Sequence, residues 1–175
     1  MRLWASLTAP NIPPSARAFS YGRSVGLVSG VLLAAAGVEL LVSDLVVELF
    51  VPKIAGAVLL IEAVGVVSLA NLFLSLFRHP ILLFDQHLVV RLGTLLSIQA
   101  PLKDLRAVET ATGGADTRRR GFLRASALAH PNLILHLRKT LIRRDRWRRF
   151  VEIDAIGPCL DDPTALRDAL RPWVD

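Results

Sequence analysis

The chain has 175 residues, enough for one compact domain and a further element, and 53% of them are hydrophobic. The formal net charge of +6 is unevenly spread: residues 24–77 carry four acids and one lysine, whereas 78–175 carry 17 basic and 11 acidic residues, so an apolar middle lies between basic ends. The single cysteine, Cys159, excludes an internal disulfide framework and reads as an inert buried thiol.

The first 23 residues hold Arg2, Arg17 and Arg23 and no acid, and read as a cytoplasmic N-terminal segment. Residues 24–79 read as a two-helix transmembrane hairpin. The stretches 24–43 and 54–77 each carry one charge and are long enough for a ~30 Å hydrocarbon core at ~1.5 Å per helical residue. A pair of buried soluble helices would need a cover that the charged remainder of the chain is too short to supply. A cleaved signal peptide fits the first stretch less well, because the apolar run is longer than the usual one. Residues 44–53 read as a short connection, with Pro52 in the first turn of the second helix and Pro80 stopping it. Arg17, Arg23, Arg78 and Arg91 flank one side and Lys53 the other. The positive-inside bias then predicts a multi-pass inner-membrane protein with both termini cytoplasmic.

Glu39 and Glu62 are the intramembrane polar candidates, since acids within a span are costly and often functional. Counted from the outer side, Glu39 is expected near the interface and Glu62 deeper, where it is protonated, hydrogen-bonded to a Ser or Asn of the neighbouring helix, or part of a proton path. Gly22, Gly26 and Gly30, at four-residue spacing, form a small-residue face for close helix packing within the hairpin or between copies.

Beyond residue 80 the period changes to two. Leu88, Val90 and Leu92 alternate with Val89 and Arg91, and Leu133, Leu135 and Leu137 with Ile134, His136 and Arg138. Val151 and Ile153 stand opposite Phe150, Glu152 and Asp154; residues 105–109 fit a helix or a strand, and Pro101 with the strands before it favours a strand. Asp162 reads as an N-cap before Pro163, with Leu166, Ala169, Leu170 and Trp173 on one helical face and Pro172 ending the helix.

The order "ILLFDQHLVVRLGTLLSIQAPLKDLRAVE", then "NLILHLR", then "VEIDA…DDPTALRDAL", behind a two-helix anchor, resembles bacterial membrane proteins with a pleckstrin-homology-like domain, over about residues 80–172. The resemblance implies a bent antiparallel β-barrel capped by a C-terminal α-helix in residues 80–175. It also implies lipid or protein binding, or a role in assembly, with no shared catalytic residues. The long insertion before the "NLILHLR" strand departs from the pattern and leaves the strand count around 110–131 open.

Two basic stretches stand out. Arg118, Arg119, Arg120 and Arg124 lie in the first, and Arg143, Arg144, Arg146, Trp147, Arg148 and Arg149 in the second. On adjacent loops below a bilayer they would meet anionic headgroups at about 1 kcal/mol per basic residue. A solvated cationic face is the plain alternative, and stacking of nucleic acid on Trp147 the least favoured. No nucleophile elbow, phosphate loop, paired-carboxylate motif or zinc spacing is present, and the four histidines are scattered. The expectation is a non-enzymatic adaptor or scaffold without metal or cofactor, whose partners are membrane lipids and a membrane protein or a second copy. The alternative is an accessory or proton-coupled transport subunit using Glu62.

Overall fold

The structure, a computed structural model, describes residues 12–111, 119–126, 129–144 and 150–174. Two long helices dominate one end, α1 (Gly22–Phe50) and α2 (Pro52–Arg78). At ~1.5 Å per residue each is roughly 40 Å long. Helix α1 does not stop at residue 43 as the charge pattern predicts. The run after Asp44 stays apolar, and Asp44 and Glu48 are four apart on one helical face, so nothing breaks the hydrogen-bond ladder. Only Val51 is non-helical (φ −143°, ψ 61°), because Pro52 disfavours the α-conformation in the residue before it. The expected ten-residue connection is therefore one residue.

Both helices are long and apolar enough to cross a membrane. Little of either is covered by the chain itself: Leu60 is 66% exposed, Leu41 69%, Leu49 71%, Ile61 71%, Leu27 77% and Phe50 79%. Apolar surface of this extent, uncovered by the chain itself, is what a lipid environment would accept.

Among the described residues, eight strands follow or flank the hairpin: β1 (Arg17–Phe19), β2 (Ile81–Leu83), β3 (His87–Leu92), β4 (Leu96–Pro101), β5 (Leu105–Thr110), β6 (Phe122–Ala125), β7 (Leu133–Arg144) and β8 (Phe150–Pro158). They form two four-stranded sheets, ordered β1-β2-β3-β4 and β5-β7-β8-β6, rather than one closed barrel. Strand β1 pairs with β2, Arg17 opposite Leu83 and Phe19 opposite Ile81. The segment before the hairpin thus supplies an edge strand, and both ends of the hairpin emerge on one side, into the β-rich unit. Strand β6 arises within the long insertion and runs parallel to β8, an exception to the expected antiparallel order.

Alternation decides the core. Ile81, Leu88 and Val90 of the first sheet meet Leu133, Leu135, Ile153 and Ile156 of the second, each at most 1% exposed. Burying each such side chain stabilises by about 1.5–3 kcal/mol. Val89, expected on an outer face, is buried too, beside its cross-strand neighbour Leu82. Helix α3 (Pro163–Leu170) inserts Leu166 and Leu170 into this core. Pro172 ends the α-helix, and the chain tightens into a 3₁₀ turn at Arg171–Trp173, which leaves Trp173 43% exposed rather than on the buried stripe. Cys159 is half-buried, more open than its sequence reading.

Candidate functional site

Three places hold the residues singled out by the sequence: the junction of helices and sheets, the cleft between the helices, and the outer half of β7–β8.

At the junction the tight turn after β3 packs on the end of α2. Gly93 adopts φ +52°, and a Cβ there would lie 2.5 Å from Ser75 Oγ and 3.1 Å from Leu76 N, so only glycine fits. The Thr94 N–H donates to Ser75 Oγ at 3.3 Å. Tyr21, just ahead of α1, donates its hydroxyl proton to His79 O at 2.7 Å and accepts from Gly93 N–H at 3.1 Å. Burial pushes its phenol pKa above the usual value, against the Gly93 hydrogen bond and the Arg91 charge, which lower it. His79 donates through Nδ1 to Ser75 O at 2.8 Å. Tyr21, Val25, Phe73 and Leu76 belong to the same core as Leu92 and Leu96, so apolar packing runs unbroken from the helices into the first sheet. Gly22 and Gly26 admit the ring of Phe77 within the hairpin, while Gly30 has nothing within 4 Å of its missing Cβ.

In the cleft, Ser43 Oγ donates to Glu62 Oε1 at 2.6 Å, the interhelical bond that sequence reading anticipated for Glu62. Because α1 continues to Phe50, Glu39 lies 12 residues from Val51 and Glu62 lies 11. The two carboxylates are therefore at nearly the same depth, correcting the expectation that Glu39 sits near the interface and Glu62 well below it. They line one cleft of about 230 Å³ with Ala36, Leu40, Gly65 and Leu69. Glu62 Oε2 is buried and has no hydrogen-bond partner among the described residues.

The arginines divide. Arg119 makes a 3.4 Å ion pair with Asp154. Arg124 folds onto its own loop, donating to Ser126 Oγ and Ala129 O. Arg120 is exposed beside the outer end of β8, near Val151 and Glu152. Arg143 stands across from Val151 in the β7–β8 ladder. The structure thus brings Arg120 and Arg143 to opposite flanks of one strand end. Arg118, Arg146, Trp147, Arg148 and Arg149 lie outside the described residues, and of Arg144 only the backbone is described.

Sequence reading missed the apolar half of this surface. Strand β5 pairs with β7 only from Leu133 to Leu137, and β6 with β8 only from Ala155 to Pro158. Beyond them β7 and β8 continue as a two-stranded ribbon carrying Ile142 (69% exposed), Phe150 (75%) and Val151 (42%). The signal available in the sequence was length: the alternation of "NLILHLRKTLIRR" outruns what a four-stranded sheet of its neighbours' size can cover. At the ribbon's base Leu141 enters a groove of about 680 Å³ with Gln86, His87, Gln99, Lys103 and Trp173. His87 pairs with Pro101 at the end of β3–β4 opposite the Gly93 turn. That end is five residues, or about 17 Å, along the strand from the helix junction.

Comparison with protein-family models, with curated proteins and with solved structures gives no match. The functional reading therefore rests on the residues themselves.

Proposed function

We propose that this chain is a non-enzymatic inner-membrane adaptor. The two helices span the membrane, both termini are cytoplasmic, and the β-rich unit, which resembles a pleckstrin-homology-like domain, contacts anionic lipid headgroups or a protein partner at the inner face. The observation that carries this reading is the junction. Tyr21, Ser75 and Gly93 fasten the sheets to helices whose outer surfaces are apolar and uncovered. A β-unit held rigidly on a lipid-soluble hairpin presents one chosen face to a partner. Arg17, Arg23, Arg78 and Arg91 all fall on the β-unit side of the hairpin, whereas Lys53 shares the tip with Asp44 and Glu48, which supports the orientation. The ribbon arises at the end of the unit away from the helices, which favours the protein-partner arm over the headgroup arm.

The experiment is membrane fractionation followed by purification in mild detergent. The adaptor reading expects full retention in carbonate-washed membranes and co-purification of a defined partner. Release into the supernatant would overturn it.

The cleft supports a second reading, an accessory or proton-coupled subunit of a transport complex. Two acids at one depth, one with a buried unpaired oxygen, are the kind of group that moves protons or binds a polar residue of a neighbouring helix. Glu62→Gln separates the two: an adaptor keeps its partner, and a proton-coupled subunit loses transport.

A further inference from the structure

We infer that the cleft between α1 and α2 receives a basic side chain from a transmembrane helix of a partner protein. This names the cleft's partner under the accessory-subunit reading and rests on the hairpin spanning the membrane.

Glu39 lies 12 residues, or about 18 Å, from Val51, well inside the apolar part of α1. It is exposed there and makes no hydrogen bond or ion pair with the described residues. An acid facing lipid at that depth is costly, and such residues nearly always face a partner or a polar cavity. Glu62, on the other helix, is half engaged: Oε1 accepts from Ser43, while Oε2 is buried with no partner among the described residues. Both acids line one cleft of about 230 Å³. A Cβ on Gly65 would meet nothing within 4 Å, and Ala36 is the small residue lining the cleft from α1. Small residues there let a further helix approach closely enough for one of its side chains to reach both carboxylates.

Charge and depth choose the occupant. Between Arg23 and Lys53, and again between Lys53 and Arg78, the chain has no basic residue. A second copy would therefore bring acids to acids at this depth. A lipid headgroup stays at the interface and does not reach it. A bare divalent cation takes about six oxygen ligands, whereas here two carboxylates stand among Ala36, Leu40, Gly65, Val66 and Leu69. A lysine or arginine on a neighbouring span pairs with Glu39 and donates to the spare Glu62 oxygen. The same contact relieves the cost of holding that cation in hydrocarbon.

The test uses the full-length protein in phosphatidylcholine vesicles, with association followed by energy transfer. The labelled probes are Leu–Ala helices of about 25 residues, carrying a central lysine, a central leucine, a central glutamate, or a lysine near one end. A labelled second copy of the protein is measured in parallel. The central-lysine helix is expected to associate about tenfold more tightly than the other three. Glu39→Gln should abolish that preference, Gly65→Leu should weaken it by filling the cleft, and Glu48→Gln near the tip should leave it unchanged. Glu39→Lys should transfer the preference to the glutamate helix, a gain that a misfolded protein would not show. Equal association of the lysine and leucine helices, or an unchanged preference in Glu39→Gln, would overturn the inference. An equal preference for the end-lysine helix would overturn pairing within the cleft, and tighter association of a second copy would overturn the choice of partner. None of these results touches the readings beneath. The anchor fails separately, as release from carbonate-washed membranes, and proton coupling fails when Glu62→Gln leaves transport unchanged.

Discussion

Asp161 and Asp162 are adjacent in the chain and cap two different helices. Asp161 accepts from Arg23 N–H of α1 at 2.9 Å through Oδ1 and from the Ser20 hydroxyl at 2.8 Å through Oδ2. Its own N–H donates to Ser20 O at 2.9 Å. Asp162 accepts from Ala165 N–H of α3 at 3.0 Å. One dipeptide thus ties the start of the first membrane-length helix to the start of the last helix. Asp161→Ala should destabilise the junction by about 1 kcal/mol, the usual worth of an N-cap. Hydrogen exchange should rise at Arg23 and not at Ala165, and Asp162→Ala should give the reverse pattern. Matching exchange changes in the two variants would dispose of the division of labour.

The Asp162 carboxyl sits below the ordinary carboxylate range, held down first by the Thr164 hydroxyl at 2.6 Å and then by the Ala165 amide. A carboxyl depressed in the folded state stabilises above its unfolded value, near ~3.9, and that contribution disappears as pH falls through the lower folded value. Acid titration of α3, followed by NMR of the Ala165 amide, should therefore show loss of the cap only below pH ~3.9. Thr164→Ala should move that midpoint upward; an unmoved midpoint would mean the hydroxyl contributes nothing.

Tyr21→Phe removes the hydroxyl between His79 and Gly93 and leaves a buried N–H without its acceptor. The expected cost is about 1–3 kcal/mol, read as a lower melting temperature in detergent. Because burial raises the phenol pKa, the native state holds its proton longer than the unfolded chain. Stability from this group is intact below pH ~10 and falls as pH rises above it. The phenylalanine variant should lack that alkaline loss, and an identical alkaline slope in both proteins would argue against a buried Tyr21.

Gly93→Ala should be more damaging than a turn substitution on an open surface. It combines a left-handed backbone (φ +52°) with a Cβ pressed on Ser75 and Leu76. A loss of about 2 kcal/mol or more is expected. A variant that melts within a degree of the parent would show that the turn does not pack on α2.

Part of this was legible in the residues. The two long helices announced themselves as apolar runs of about 20 residues with a single charge each, long enough to cross a bilayer. Strands β3, β7 and β8 were legible from alternation, β5 only from its neighbours, and α3 from Asp162, Pro163 and the Leu166–Leu170 spacing. Strands β1 and β6 were not. Each is three or four residues long, too short for a period to register, and each exists only because β2 or β8 offers an edge. The end of α1 was misplaced because charges at 44, 48 and 53 look like a loop in one dimension, whereas Asp44 and Glu48 are one turn apart on one face of α1 and Lys53 already belongs to the first turn of α2.

The sequence by itself determined the solvent preference of each part: which residues belong in an apolar medium, which alternate across a sheet, and where a proline forbids a helix. These depend on side-chain chemistry and neighbours within a few positions. Only the tertiary structure decided that Asp161 caps a helix some 140 residues away, that Glu39 and Glu62 share one cleft, and that β7 outruns its partner. Those facts depend on which distant segments lie side by side, and no local pattern carries that information.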